Sequence, residues 1–315
     1  MEISSSYIKD IIQKNRDNIA FIIGNGIHYQ YKDCNLSWKQ LLKDLWNDYV
    51  GKKCNIPKGT SLTEFYDILE LNRFWGSRGL IPQDSLRLLQ QRNTVKQNVA
   101  GKFPHKDSDK LRLRMCIEGI RRLNVPILTT NFDTYISDSV NATQYKLKPI
   151  NDQYKFNDFY PWNMYYSDRI INNPLDGFAV WHINGTREYS RSIRLGLSDY
   201  MGSVERARKM IQENSLEDCF TGKNQSYWKG YNTWFHIVFN KSLFIFGLGL
   251  EENEVFLRWL LIQRTKYCKM YKKSHKGWYI DKGIKAGKRF FLEQLGFEVI
   301  DLSDYNTLYH ALETL

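Results

Sequence analysis

Two residues of this chain combine the right type and position for chemistry. Asn131 closes the apolar run "VPILTTN", and His182 lies in "GFAVWHING", another apolar run that breaks into polar residues. An imidazole titrates near neutral pH, so it can take or give a proton. An amide beside it can orient a hydroxyl, a carboxamide or an attacking water. Thr130 and Asp133 share the corner of Asn131. Two further apolar runs end in glycine. "IAFIIGNG" closes on Gly24, Asn25 and Gly26, and "SLFIFGLGL" closes on Gly247 and Gly249, with Asn253 four residues beyond. Glycine corners of this kind let a backbone come close to a phosphate, and helix N–H groups can then bind it.

Each corner also has an ordinary explanation. "GNGIHY" keeps two glycines of the GxGxxG fingerprint, but Tyr29 stands where the third belongs. Asn131 could be a helix cap, His182 a hydrogen-bonded core histidine, and "GLG" a packing device. Asp133 could equally be a buried structural acid. Asp44 stands at about the distance of a ribose-binding acid, but it falls inside a helical pattern. The functional reading rests on the coincidence of these corners, in order, at successive strand ends.

The elements that position them follow from hydrophobic periodicity. Strands are expected at Ile19–Gly26, Val125–Asn131, Gly177–Gly185, Ser242–Leu250, Gly277–Ile280 and Phe297–Ser303. Amphipathic helices separate them, beginning with Leu36–Val50, for which Ser37 is the expected cap. Strands alternating with helices imply a parallel sheet with crossovers, so the fold class is α/β with a doubly wound sheet of about six strands. All the corners then lie on one edge, where such sheets take dinucleotides. Two long stretches, about 52–123 and 186–240, are mainly helical. They are expected to form an insertion subdomain over that edge, within a single domain spanning 1–315.

Composition narrows the class. The 315 residues are 42% hydrophobic and 25% charged, which is an ordinary globular balance. No apolar stretch reaches membrane-spanning length, and the first residues lack the apolar core of a signal peptide, so a cytoplasmic protein without membrane contact is expected. Cys34, Cys54, Cys116, Cys219 and Cys268 form no CxxC pair, which argues against a zinc ribbon or a disulfide framework. The net charge of +11 is uneven: Arg264 to Arg289 holds ten Lys or Arg against Asp281 alone. Such a run is a solvated face or a surface for an acidic partner or nucleic acid.

The motifs "IIGNGIH", "LTTNFD", "WHINGT", "LGLSDY" and "FGLGLEENEVFLRWLL" resemble the sirtuin superfamily, specifically the sirtuin-like domains of bacterial antiphage defence proteins. The resemblance implies a Rossmann-like domain with a helical insertion. It implies NAD+ as the bound nucleotide, and Asn131 and His182 as catalytic residues. Gly24, Asn25, Gly26, Thr130, Asp133, Gly247, Gly249 and Asn253 are expected to contact the nucleotide. The chain departs from the deacetylating sirtuins in lacking their two zinc-binding CxxC pairs, and Ile183 and Asn184 separate His182 from Gly185. No zinc or other metal is therefore expected, and the resemblance favours the NAD+-hydrolysing (NADase) defence branch, an abortive-infection effector. Two alternatives stand beside it: an NAD- or ADP-ribose-binding assembly module without turnover, and an NAD-dependent deacylase or ADP-ribosyltransferase. Hydrolysis of free NAD+ would be toxic, so control through a homo-oligomer and a separate partner is expected. In the defence branch such partners include HerA-like ATPases and short Argonaute proteins, through which nucleic acid would be contacted indirectly.

Overall fold

Every residue of Ile19–Ile23 (β1) is buried, and its side chains divide strictly by parity. Ile19, Phe21 and Ile23 enter one apolar core, whereas Ala20 and Ile22 enter another. A strand covered on both faces belongs at the centre of a parallel sheet. The computed structural model describes residues 3–31, 37–51, 53–75, 85–102, 111–150, 152–212, 216–221 and 225–315. Cys34, Leu36 and Lys52 lie outside the described residues.

Among the described residues eight strands form one sheet. They are β1, Ile127–Thr129 (β2), Thr143–Lys146 (β3), Met164–Ser167 (β4), Val180–His182 (β5), Ser242–Phe246 (β6), Gly277–Asp281 (β7) and Phe297–Asp301 (β8), in the order β3-β4-β5-β2-β1-β6-β7-β8. From β5 to β8 all pairs are parallel. Numbered along the chain, those strands run 3-2-1-4-5-6, the order of the dinucleotide-binding Rossmann sheet, with its reversal between β1 and β6. The expected six strands are present, but the expectation of an all-parallel sheet of six is corrected. β3 and β4 add an antiparallel edge. Their sequences, "TQYK" and "MYYS", carry no aliphatic run. Tyr165 and Tyr166 instead supply the alternation, one to each core.

The helices are Ser5–Lys14 (α1), Gly26–Tyr31 (α2), Trp38–Val50 (α3), Leu62–Glu70 (α4), Ser85–Gly101 (α5), Leu111–Arg122 (α6), Tyr135–Asp138 (α7), Leu197–Gln212 (α8), Leu216–Thr221 (α9), Trp234–Asn240 (α10), Val255–Met270 (α11), Ala286–Gln294 (α12) and Tyr305–Glu313 (α13). The Ser37 side chain accepts the Gln40 N–H at 3.0 Å and caps α3, as its sequence position suggests. α1, α6 and α13 cover one face of the sheet, and α10, α11 and α12 cover the other. A third core joins α3, α4 and α5 to Ile193 and Leu195. The stretch 52–123 thus divides, with α4 and α5 in the third core and α6 against the sheet.

The basic stretch divides too. Arg264 is buried, and its guanidinium donates to the carbonyls of Val238, Lys241 and Lys276. Lys266, Lys269, Lys272, Lys273 and Lys276 are exposed. No described helix is long and apolar enough to cross a membrane.

The tightest packing in the sheet lies at its reversal. A Cβ on Gly24 would strike the Gly247 carbonyl oxygen and lie 2.7 Å from Leu248 Cα. Gly24→Ala should therefore destabilise the fold by about 1–3 kcal/mol, the usual cost of overpacking. Gly287, in α12, faces open space, so Gly287→Ala should add about 0.5–1 kcal/mol through helix propensity. Urea unfolding midpoints of the two variants should move in opposite directions.

Candidate active site

The loops that follow β1 and β6 touch backbone to backbone. Gly26 N–H donates to Gly247 O at 2.7 Å, and Gly24 N–H donates to Phe246 O at 3.1 Å. Gly247 has a positive φ of 63°, and a Cβ on Gly26 would lie 2.6 Å from its Cα. These glycines are required by the close approach of two loops. The N–H groups of Gly26, Ile27 and His28, which open α2, have partners in Gly247 O, Gly24 O and Asn25 O. In this conformation they are not a bare phosphate cradle.

The corner after β2 is built from its own side chains. Thr129 Oγ1 donates to Ile23 O at 2.9 Å and accepts the Asn131 N–H at 3.1 Å, which ties the corner to β1. Asp133 Oδ1 accepts the Tyr135 N–H at 3.0 Å and so opens α7. His28 completes the arrangement. Its Nε2 lies 3.1 Å from Asp133 Oδ2 and 3.1 Å from the Asn131 amide. A carboxylate only accepts, so Nε2 carries the proton and donates it to Asp133, and the Asn131 amide nitrogen, itself a donor, packs against it. All three side chains are buried. Burial alone would raise the Asp133 carboxyl, but the facing His28 and the hydrogen bonds from His28 and Tyr135 outweigh it and hold the carboxyl below its usual value.

His182 stands behind this corner. Its Nδ1 lies 2.8 Å from the backbone carbonyl of Asn131. A carbonyl only accepts, so Nδ1 is protonated and Nε2 carries the lone pair. That Nε2 is buried and has no partner. Burial, opposed by the Asn131 carbonyl, pushes the imidazole below its ordinary value, so it is neutral at physiological pH.

The remaining wall comes from the helical layer. Asp199 accepts from Lys96 Nζ at 2.7 Å and from the Leu195 N–H at 3.2 Å, which fixes the start of α8. Tyr200, the next residue, is thereby set into the wall, with its ring 6.1 Å from that of Trp38. Glu254, just ahead of α11, lies on the same wall together with Asn184.

These elements enclose a narrow cavity of about 160 Å³, lined by Asn25, Thr130, Asn131, Asp133, Gly247 and Gly249 among others. A wider cleft of about 740 Å³ adjoins it, lined by Gly26, Asp281, Lys282, Lys285 and Lys288 among others. Asn25, Trp38, Gly247, Leu248 and Gly249 line both. The fold thus gathers most of the residues singled out by sequence. Gly24 lies in the packed loop contact, His182 behind Asn131, and Asn253 off both linings. Sequence reasoning passed over His28, Tyr200 and Glu254. The signal for His28 was its place in "GNGIH", directly after the glycine corner. Among the described residues no group of three or more His, Cys, Asp or Glu is gathered to hold a metal ion.

A Cys–His–Asn cluster elsewhere is not a nucleophile site. Cys219, His236 and Asn240 meet within the core. Burial pushes the thiol up to about 12 and the imidazole down to about 3, the reverse of what activation needs. No protein-family model matches this chain, and no curated protein matches it either.

Asp133 holds the corner only while ionised. Its folded carboxyl lies below the usual 3.8, so its stabilisation is present above that pH and lost as acid protonates it. Asp133→Asn should cost about 1–3 kcal/mol at pH 7, the price of unpairing a buried polar group. The difference between variant and parent melting temperatures should narrow as the pH falls below 3.8.

Proposed function

We propose that this chain is an NAD+ glycohydrolase, releasing nicotinamide from NAD+ and leaving ADP-ribose. The observation that carries the reading is the continuous cleft at the sheet's reversal. It runs from a wide end rimmed by Lys282, Lys285 and Lys288 to a narrow end that holds Asn131. Such a crevice is where sheets of this strand order take dinucleotides. The wide end is of small-ligand size, and its lysines suit an anionic pyrophosphate. The resemblance of the strand-end motifs to sirtuin-like defence domains supports the same substrate.

The nicotinamide of NAD+ is already cationic, so its departure needs no acid. The site has to support an oxocarbenium-like ribose and deliver water, for which rigid placement and preorganised dipoles are the main means. Asn131 faces the narrow cavity with its side chain packed against His28 and its backbone carbonyl held by His182. It is the residue placed to contact the ribose, the carboxamide or the water. His182 fixes that placement from behind the corner. Asp133 anchors His28, and Gly247, Gly249 and Asn25 border the passage between the two ends.

Asn131→Ala should lower nicotinamide release by about 100-fold or more, with its melting temperature close to that of the parent. His182→Ala should lower it similarly. The double variant should be little worse than either, because residues that act as a unit are not additive. Assays under activating conditions, with and without an acylated peptide, check this and separate hydrolysis from deacylation. Near-normal turnover by folded Asn131→Ala overturns the reading.

Control of so toxic an activity belongs to assembly, with copies of this chain and with a separate defence partner. The exposed lysines at 266–276 are the surface for the partner. Reversing Lys272, Lys273 and Lys276 to Glu should leave activated turnover unchanged while weakening association with the partner, most strongly at low salt. Association that is independent of salt and of these charges returns them to a solvated face.

A further inference from the structure

Besides the phenol of Tyr200, three titratable side chains lie in or behind the wall of the narrow cavity, and two are poorly suited to accept a proton there. Asp133 has both oxygens engaged, by His28 and by the Tyr135 N–H. His182 lies behind Asn131, off the lining. Glu254 differs from both. It lines the cavity, and its Oε2 is shut off from solvent with no hydrogen-bond partner, although the residue as a whole is half-buried. A buried carboxylate oxygen without a partner is costly, and native proteins keep few of them outside functional sites.

We infer that Glu254 is the proton acceptor of this site, taking the proton of the water that attacks the ribose. The inference rests on the NAD+ reading given above. In the step, the water oxygen bonds to C1′ of the ribose as the bond from C1′ to the nicotinamide nitrogen breaks. The bonding pair leaves with nicotinamide and cancels its positive charge. The water's proton passes to the Glu254 carboxylate and then to solvent, and nothing is oxidised or reduced.

The surroundings of Glu254 suit this role. Burial raises its carboxyl to about 7, with a hydrogen bond from the Asn184 amide as the opposing influence. Tyr200, on α8, is the titratable group whose charge state couples to it, and burial lifts that phenol well above its ordinary range, so it stays neutral. Asp199, next to Tyr200, is neutralised by Lys96 and Arg194. Arg258, one turn along α11, donates to Leu250 O and lies 3.9 Å over the Phe291 ring. No cation therefore holds Glu254 ionised, whereas Asp133 has both oxygens engaged by donors, His28 and the Tyr135 N–H. Two carboxyls pushed in opposite directions by their environments are the pattern of a fixed anion and a working base.

The test is the pH profile of nicotinamide release by the parent, Glu254→Gln and Glu254→Asp, with ADP-ribose binding as the control for the site. The parent should gain activity as pH rises through about 7, where the carboxyl loses its proton. Glu254→Gln should lower kcat by about 100-fold or more and remove that rise, with ADP-ribose affinity within about twofold of the parent. Glu254→Asp should keep the rise at reduced kcat. Parent-like turnover and profile in Glu254→Gln, with Asn131→Ala inactive, overturns the inference alone. A raised KM with unchanged kcat does so as well, because it assigns Glu254 to binding. A parent that releases no nicotinamide overturns the NAD+ reading and the inference together.

A second measurement is independent of turnover. The folded carboxyl lies above its unfolded value of 4.5, so the stability it contributes is present below that pH and lost as pH rises through about 7. Glu254→Gln should melt with the parent at low pH and above it at pH 8. A gap that does not change with pH overturns the assignment of a buried, titrating carboxyl.

Discussion

The contact between the β1 and β6 loops governs everything above it. With Gly26 N–H on Gly247 O, the two halves of the sheet meet with no room for a side chain. Two consequences follow from this one constraint. Asn25, between the two glycines of the first loop, borders both parts of the cleft. On the second loop, Gly247 and Leu250 both take positive φ. The chain can then bury Leu248 and Leu250, expose Gly249 to the cleft, and deliver Glu254 to the cavity wall just before α11 begins. A left-handed leucine is uncommon and is kept only where the surroundings over-determine it.

What sits beside that contact is a division of labour between buried groups. On the β2 side, the Asp133 carboxylate has His28 and the Tyr135 N–H as donors, and the Asn131 carbonyl has His182. That side is rigid by construction, since moving any member would strand a buried polar atom. On the α11 side, Glu254 has an amide neighbour and no cation. Rigid placement on one wall and a proton that can come and go on the other are different physical tasks. The sequence assigns them to different elements.

Much of this was legible in the sequence, and the reasons for the rest are specific. The six parallel strands announce themselves because strands buried on both faces must be aliphatic almost throughout, as in "IAFII" and "SLFIF". Their glycine and polar corners follow from the same runs. β3 and β4 escape because an edge built on Tyr145, Tyr165 and Tyr166 alternates in shape without alternating in hydropathy. Arg264 reads as one more cation in a basic run. Its burial against three carbonyls depends on where α10 ends and where β6 and β7 begin, which no local pattern carries. Glu254 is one of three glutamates in "EENE". Glu251 pairs with Lys288 at the rim, whereas Glu254 is turned inward. Which glutamate is buried depends on Tyr200, more than fifty residues upstream, and on Asn184.

Tyr200 also shows what the helical layer does for the site. Asp199 is gripped by Lys96 from α5 and by the Leu195 N–H, and this grip holds the phenol of Tyr200 and the indole of Trp38 against the sheet's open edge. Without that cover Glu254 would be an ordinary solvated carboxylate, and the partnerless Nε2 of His182 and Oε2 of Glu254 would simply take up water. Covered, they become strong acceptors in a low-dielectric pocket, where an electrostatic contact with a bound ligand is worth more than the same contact in water. Partnerless indole nitrogens also occur at Trp228 and Trp234, but those lie in the apolar core, away from any acceptor chemistry. At the lining of the cavity, by contrast, the partnerless atoms are Oε2 of Glu254, the Asn184 carbonyl oxygen and the indole nitrogen of Trp38, with Nε2 of His182 behind the corner. The oxygens and the imidazole nitrogen are acceptors, and the indole is a donor. A ligand that completes this site must therefore bring both donors and an acceptor, as the hydroxyls of a ribose, the amide of a nicotinamide and an attacking water all do.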